Sequence, residues 1–110
     1  MSELIEKIED AILISPEGEL DINNIDSLRT VIEAELKNGA MKLLIDLKNV
    51  SYMDSAALGV LVSGLKRARL SNAQFKLANV TGNIESIFKL TRLTKFFDIY
   101  ESVDEAISSF

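Results

Sequence analysis

The sequence contains no cysteine and no histidine. Without cysteine the chain has no disulfides, no thiolate nucleophile and no thiolate metal site. Without histidine it lacks the usual general base at neutral pH and the commonest zinc ligand. A Ser-His-Asp triad cannot be assembled within it. Proline occurs once, at Pro16, and no linker, repeat or low-complexity segment divides the chain. Apolar runs are short, such as Leu43-Leu44-Ile45, against the ~20 residues that a membrane span needs. The stretch Met1-Ser2-Glu3-Leu4-Ile5-Glu6 has no basic region followed by an apolar core, so no secretory signal is expected. Basic residues are in deficit: 12 Lys and Arg against 17 Asp and Glu leave a net charge of -5. That balance disfavours direct binding to nucleic acid and to anionic membranes. A cytoplasmic protein is expected.

What is present fits one domain spanning residues 1–110. With 47% hydrophobic residues it can bury a core without metals or disulfides. Leu4 to Ile8 and Ala11 to Ser15 read as two strands of a hairpin turning at Glu9-Asp10. Pro16-Glu17-Gly18 breaks the pattern, and Glu19-Leu20-Asp21 follows as an extended stub. Asn23 or Asn24 can cap a helix running to Lys37, with Ile25, Leu28, Ile32 and Leu36 on one face. Gly39 suits the left-handed position that closes it. Lys42 to Leu47 is a strand with almost no polar face, as expected of one covered on both sides. Asp46 is its one acidic residue and reads as a strand-end group bonded to nearby backbone.

Lys48 to Met53 reads as a connection. Asp54-Ser55 opens a second helix over Ala56–Leu70, with Leu58, Leu61, Val62 and Leu65 as the expected buried stripe. Lys66, Arg67 and Arg69 form a solvated face near its C-terminus, where cations suit the helix dipole. Phe75 to Val80 is a further strand, and Asn83 to Leu90 a third helix. Phe97 to Tyr100 is a last short strand. Phe96 and Phe97 in an extended stretch cannot both face one core, so one is expected to be exposed. Ser102 and Glu105 form a capping box before a final helix. The order predicts an α/β fold: a mixed, mostly parallel sheet of about five strands with an N-terminal hairpin and about four helices.

In such sheets, sites lie outside the carboxyl ends of the strands. Two segments should meet there: Gly18 to Asn24, and Ser51 to Ser55. A helix start offers unpaired N–H groups and partial positive charge, so it tolerates a phosphate. A serine phosphorylated there gains about -1.5 to -2 of charge, which a partner packed on the same helix end would not accept. Read from the residues alone, Asp54 is an N-cap and Ser55 a first-turn residue.

The stretch Tyr52-Met53-Asp54-Ser55-Ala56-Ala57-Leu58-Gly59-Val60-Leu61 resembles the signature of the STAS family, the anti-sigma factor antagonists. Gly18-Glu19-Leu20-Asp21, Leu44-Ile45-Asp46-Leu47-Lys48-Asn49-Val50 and the order of elements are similar too. The resemblance covers essentially the whole chain. It implies a non-enzymatic antagonist that binds an anti-sigma factor, itself a serine protein kinase, and thereby releases a sigma factor. It implies phosphorylation of Ser55 by that kinase, reversal by a separate serine phosphatase, and no cofactor on this chain. The partner surface it implies is Asp21, Asn23, Asn24, Asp54, Ser55, Ala56, Ala57 and Leu58. The chain is expected to be a monomer or a weak homodimer. Many family members carry glycine where this chain has Ala57, and the alanine is expected to add a methyl group at a surface that a partner approaches. The alternative is a constitutive STAS module in a stress-signalling complex or a lipid-transport assembly. A small metal enzyme using Asp21, Asp46 or Asp54 ranks last, since no phosphate loop of the GxxxxGK[ST] kind is present.

Overall fold

A computed structural model describes residues 3–110 of the chain. Met1 and Ser2, the start of the stretch read as lacking a secretory signal, lie outside the described residues. Strands β1 (Glu3–Ile8) and β2 (Ala11–Pro16) form the expected antiparallel hairpin, with Glu9 in the left-handed region at its turn. Helix α1 (Ile25–Lys37), β4 (Lys42–Asp46), α2 (Ser55–Leu70), β6 (Gln74–Ala78), α3 (Gly82–Leu90), β7 (Asp98–Tyr100) and α4 (Val103–Ser109) follow, interrupted by two short strands. These are β3 (Gly18–Leu20) and β5 (Val50–Met53). The main sheet has five strands in the order β1-β2-β4-β6-β7, and every pairing after the hairpin is parallel.

β4 sits at the centre of that sheet, and Leu43, Leu44 and Ile45 are all buried. The two sides of the strand feed two cores. Leu43 and Ile45 join the larger one with residues of α1, α2 and α3, among them Ile32, Leu61 and Phe88. Leu44 joins Leu13, Ala78 and Ala106 beneath α4 on the other side. This is why the strand reads as apolar throughout. Asp46 is held as expected, with Oδ1 accepting from the Lys48 N–H at 3.0 Å and from Asn79 Nδ2 at 2.8 Å.

Several expectations need correction. Lys48 to Met53 is not merely a connection, because Val50–Met53 pairs in parallel with β3 as a second, two-stranded sheet. Its burial runs buried-exposed-exposed-buried, so no period of two betrays a strand. β6 ends at Ala78, two residues before the expected limit. The buried face of α2 is rotated from the stripe of leucines: Ala57, Val60, Leu61, Gly64, Leu65 and Ala68 are buried, whereas Leu58 and Val62 are only partly so. The reason is close packing. Small residues let α2 lie near the sheet and α1, so the side with least side chain is the one turned inward. Phe96 and Phe97 do not lie in extended chain either, since a 3-10 turn at Leu93–Lys95 precedes them. Phe97 is buried, 5.7 Å from the Phe88 ring centre, and Phe96 stacks edge-on against it with the Arg69 guanidinium 5.3 Å away.

Among the described residues the α4 side contains one buried cation. Lys76 is 4% exposed, and its Nζ lies 2.7 Å from Ser109 Oγ, 5.1 Å from the Tyr100 ring centre and 4.6 Å from that of Phe110. Cation–π attraction and the hydroxyl replace its lost hydration and tie the last turn of α4 to the sheet.

The two glycines of α2 separate packing from propensity. A Cβ at Gly64 would meet Phe75 Cε2 at 3.1 Å and Ile32 Cγ2 at 3.2 Å, while one at Gly59 meets nothing within 4 Å. Gly59→Ala should therefore stabilise the fold by about 1 kcal/mol, the ordinary helical gain. Gly64→Val should destabilise it by about 1–3 kcal/mol through overpacking. Urea denaturation of both variants checks the opposite signs.

Candidate functional site

The short parallel pairing of β3 with β5 is what assembles the site. Leu20 and Met53 are register partners and both are buried, so the chain leaves the two strands side by side. Gly18, at φ +83°, makes the entry into β3 and donates its N–H to Asn49 O at 2.9 Å. Beyond the strands, the Asp54 N–H donates to Leu20 O at 3.1 Å, which extends the pairing by one bond.

Asp54 is the N-cap of α2, in extended conformation. Its Oδ1 accepts the Ala57 N–H at 2.9 Å, and its Oδ2 accepts the Ile22 N–H of the neighbouring loop, also at 2.9 Å. One carboxylate thus caps a helix and holds a loop 32 residues away in sequence. The Ala57 N–H is the main reason why the Asp54 carboxyl ionises below the ordinary carboxylate range; the Ile22 N–H adds to the effect and desolvation opposes it.

The β3–α1 loop is folded on its own polar residues. Asp21 Oδ1 accepts the Asn23 N–H at 2.9 Å, and Asp21 O accepts the N–H groups of Asn24 and Ile25. Asn24 occupies the N-cap position of α1 but makes no side-chain cap. Its Oδ1 instead accepts the Asp21 N–H at 3.0 Å, and its Nδ2 donates to Glu19 O at 2.8 Å. The expected capping role of Asn23 or Asn24 is therefore replaced by bonds that close the loop. The result presents Ile22 outward, 67% exposed, with Tyr52 on β5 also exposed.

Ser55 is the first residue of α2 and is exposed. Its hydroxyl has no hydrogen-bond partner among the described residues. Ala56 and Leu58 are half-buried against the larger core. Ala57 is fully buried, which corrects the expectation of a surface methyl group: its N–H holds Asp54 while its side chain faces the core. The structure thus brings Asp21, Asn23, Asn24, Asp54 and Ser55 to one place and turns Ala57 away. It also adds Ile22 and Tyr52. The sequence signal for Ile22 was an isoleucine set between Asp21 and Asn23, outside any strand or helix period. Among the described residues no group of three or more acidic side chains could hold a metal ion, and Asp46 is engaged with Asn79 rather than with Asp21 or Asp54.

The model of the STAS domain matches residues 4–106. The chain belongs to the STAS domain family. By homology and fold this STAS domain groups with the anti-sigma factor antagonists. It is 30% identical over 79% of its length, and 81% of the relative's, to an anti-sigma-B factor antagonist of Staphylococcus aureus. The crystal structure of a candidate anti-sigma factor antagonist from Thermotoga maritima superposes with a TM-score of 0.92 at 29% identity, covering 97% of this chain and 92% of that one. The anti-sigma factor antagonist SpoIIAA, in its unphosphorylated form, shares the fold at a TM-score of 0.76 and 17% identity, covering 98% of this chain and 96% of that one. The Bacillus SpoIIAA has also been solved in a phosphorylated form, at the same TM-score of 0.76 and 20% identity. No helix among the described residues is long and apolar enough to cross a membrane.

The two bonds of Asp54 in this STAS domain can be told apart. Asp54→Asn keeps an oxygen for the Ala57 N–H but turns an amide donor toward Ile22, whereas Asp54→Ala removes both. Thermal melts should rank wild type above Asp54→Asn above Asp54→Ala. Because the folded-state pKa is depressed, the ionised group stabilises the fold above its unfolded value, about 3.9. That contribution is lost as the pH falls through the folded value. Acid titration of stability should show a shallower decline below about pH 4 in Asp54→Asn than in wild type.

Proposed function

We propose that this STAS domain is an anti-sigma factor antagonist whose binding surface is switched by phosphorylation of Ser55. Its partner is an anti-sigma factor with serine kinase activity, met in the cytoplasm, and a separate phosphatase resets the switch. The observation that carries this reading is the state of Ser55. It is an exposed hydroxyl at the first position of a helix, beside a loop locked by the preceding residue. None of the bonds that hold the site uses that hydroxyl. A phosphate can be added without breaking a structural contact, and the helix dipole favours the new charge. The existence of a phosphorylated form of SpoIIAA supports the reading.

The effect falls on the partner. The surface around Ser55 combines the exposed Ile22 and Tyr52 with neutral groups of the first turn of α2. In the unmodified state a partner can bury Ile22 there. With a phosphate of about -1.5 to -2 in the middle of the same surface, that burial would require stripping a charge of water. ATP and magnesium belong to the kinase in this scheme, and the chain itself needs no cofactor.

The test is to incubate the protein with its cognate kinase and ATP, then map the phosphate by mass spectrometry; phosphate elsewhere, or none, would sink the assignment of Ser55. In titration calorimetry, Ser55→Asp should bind the anti-sigma factor at least about tenfold more weakly, or ~1.4 kcal/mol, and Ser55→Ala should bind as wild type. Equal affinity for both would instead favour a constitutive module. Ile22→Ser should leave stability within about 0.5 kcal/mol, as exposed positions usually do, yet weaken the complex by more than about 1 kcal/mol.

A further inference from the structure

The basic residues of this acidic chain are gathered in one stretch. From Lys66 to Asp98 there are seven Lys and Arg against two acids, Glu85 and Asp98, whereas the rest of the chain has five against fifteen. Topology brings that stretch to one end of the molecule. α2 leads through residues 71–73 into β6, and α3 leads through the 3-10 turn into β7. β6 and β7 are parallel neighbours, so both connections arrive side by side at the amino ends of the strands. Arg69, near the end of α2, lies 5.3 Å from the Phe96 ring centre and joins the two segments. Of the seven cations only Lys76 is buried. Arg67 and Lys89 face Glu33 and Glu85 at 3.7 and 3.9 Å. Among the described residues Lys66, Arg69, Arg92 and Lys95 have no ion-pair partner. The last residues of α2 and α3 are Leu70 and Leu90, at 87% and 84% the most exposed large apolar side chains among the described residues. The helix dipole accounts for cations at helix ends, but not for two leucines in water beside them.

We infer that this end of the molecule docks an acidic amphipathic segment of a partner protein. Its carboxylates meet Lys66, Arg69, Arg92 and Lys95, and its apolar side chains cover Leu70 and Leu90. Charge complementarity selects an acidic occupant, and the leucines select one that is also apolar. A flat anionic surface fits less well. β2 is parallel to β4, so the exposed Glu9-Asp10 turn that opens β2 lies at the same end of the sheet. A membrane approaching the basic side would meet those two acids as well, whereas a discrete segment covers the basic side alone. The surface is separate from the switch. α2 has 16 residues and a length of about 24 Å, with Ser55 at one end and Leu70 at the other. Both ends can be occupied at once, so a second protein can hold this domain in either state of Ser55.

Fluorescence anisotropy of the full chain against a labelled synthetic helix, with glutamates on one face and leucines on the other, tests this. Wild type should bind the peptide, and more weakly as salt is raised. The same peptide with lysine in place of glutamate should not bind. Arg92→Glu combined with Lys95→Glu should weaken binding at least about tenfold without changing the thermal melt. Leu70→Ser should do the same from a separate element, and it decides the matter if the charge-reversed variant does not fold. Ser55→Asp should leave the affinity unchanged; a loss there would put the peptide on the switch surface and overturn the proposal. Equal binding of the lysine peptide overturns it, as does a wild type that ignores the glutamate peptide. Wild type that ignores the peptide but sediments with phosphatidylcholine–phosphatidylserine vesicles overturns it in favour of a membrane.

Discussion

The Asp54 carboxylate is the interaction on which the candidate site depends. Each of its oxygens accepts one backbone N–H, one from the first turn of α2 and one from Ile22 in the loop before α1. Those two segments are 32 residues apart in the chain. The parallel pairing of β3 with β5 brings them together, and the buried Leu20 and Met53 anchor that pairing in the core. The carboxylate then fixes how the loop lies against the helix start. A helix needs a cap and a loop N–H needs an acceptor; here one charged group meets both needs, which also explains its lowered pKa.

The neighbouring residue is free of structural duty. Ser55 occupies the first helical position, exposed, while Asp54 before it and the buried Ala57 after it carry the contacts. In the proposed function, this division separates stability from signalling. A modification at Ser55 changes the charge of the surface and leaves the bonds beneath it intact. The loop is equally suited to presentation. Asp21 and Asn24 satisfy their polar groups locally, so the rigid turn they make can hold an isoleucine in solvent. An exposed apolar residue on an ordered loop is a cost to the free protein that binding recovers.

Much of this could be read from the residues in order. The hairpin, the central apolar strand, the four helices and the Asp54–Ser55 helix start all follow local periodicity and capping, and the structure has them close to the expected limits. β5 was hidden because its burial does not alternate. The buried face of α2 is not legible in the residues, because Leu58 and Val62 look more like core than Gly64 and Ala68 do. Asn24 looked like a cap, and only the position of Glu19 and Asp21 around it shows why its amide turns to the loop. Phe96 and Phe97 read as extended chain because the 3-10 turn before them has no strong composition signal.

Local sequence by itself therefore determined the helices and the strands of the main sheet, their order and the helix start that bears the serine. These depend on hydrophobic period and on short-range backbone hydrogen bonds, whose partners lie within a few residues. Tertiary structure decided that the Ile22 loop and the Ser55 helix share one surface, that Ala57 faces inward and that α2 packs through its small residues. Those facts rest on contacts between segments tens of residues apart. Such contacts depend on how closely two surfaces approach, and no local pattern encodes that distance.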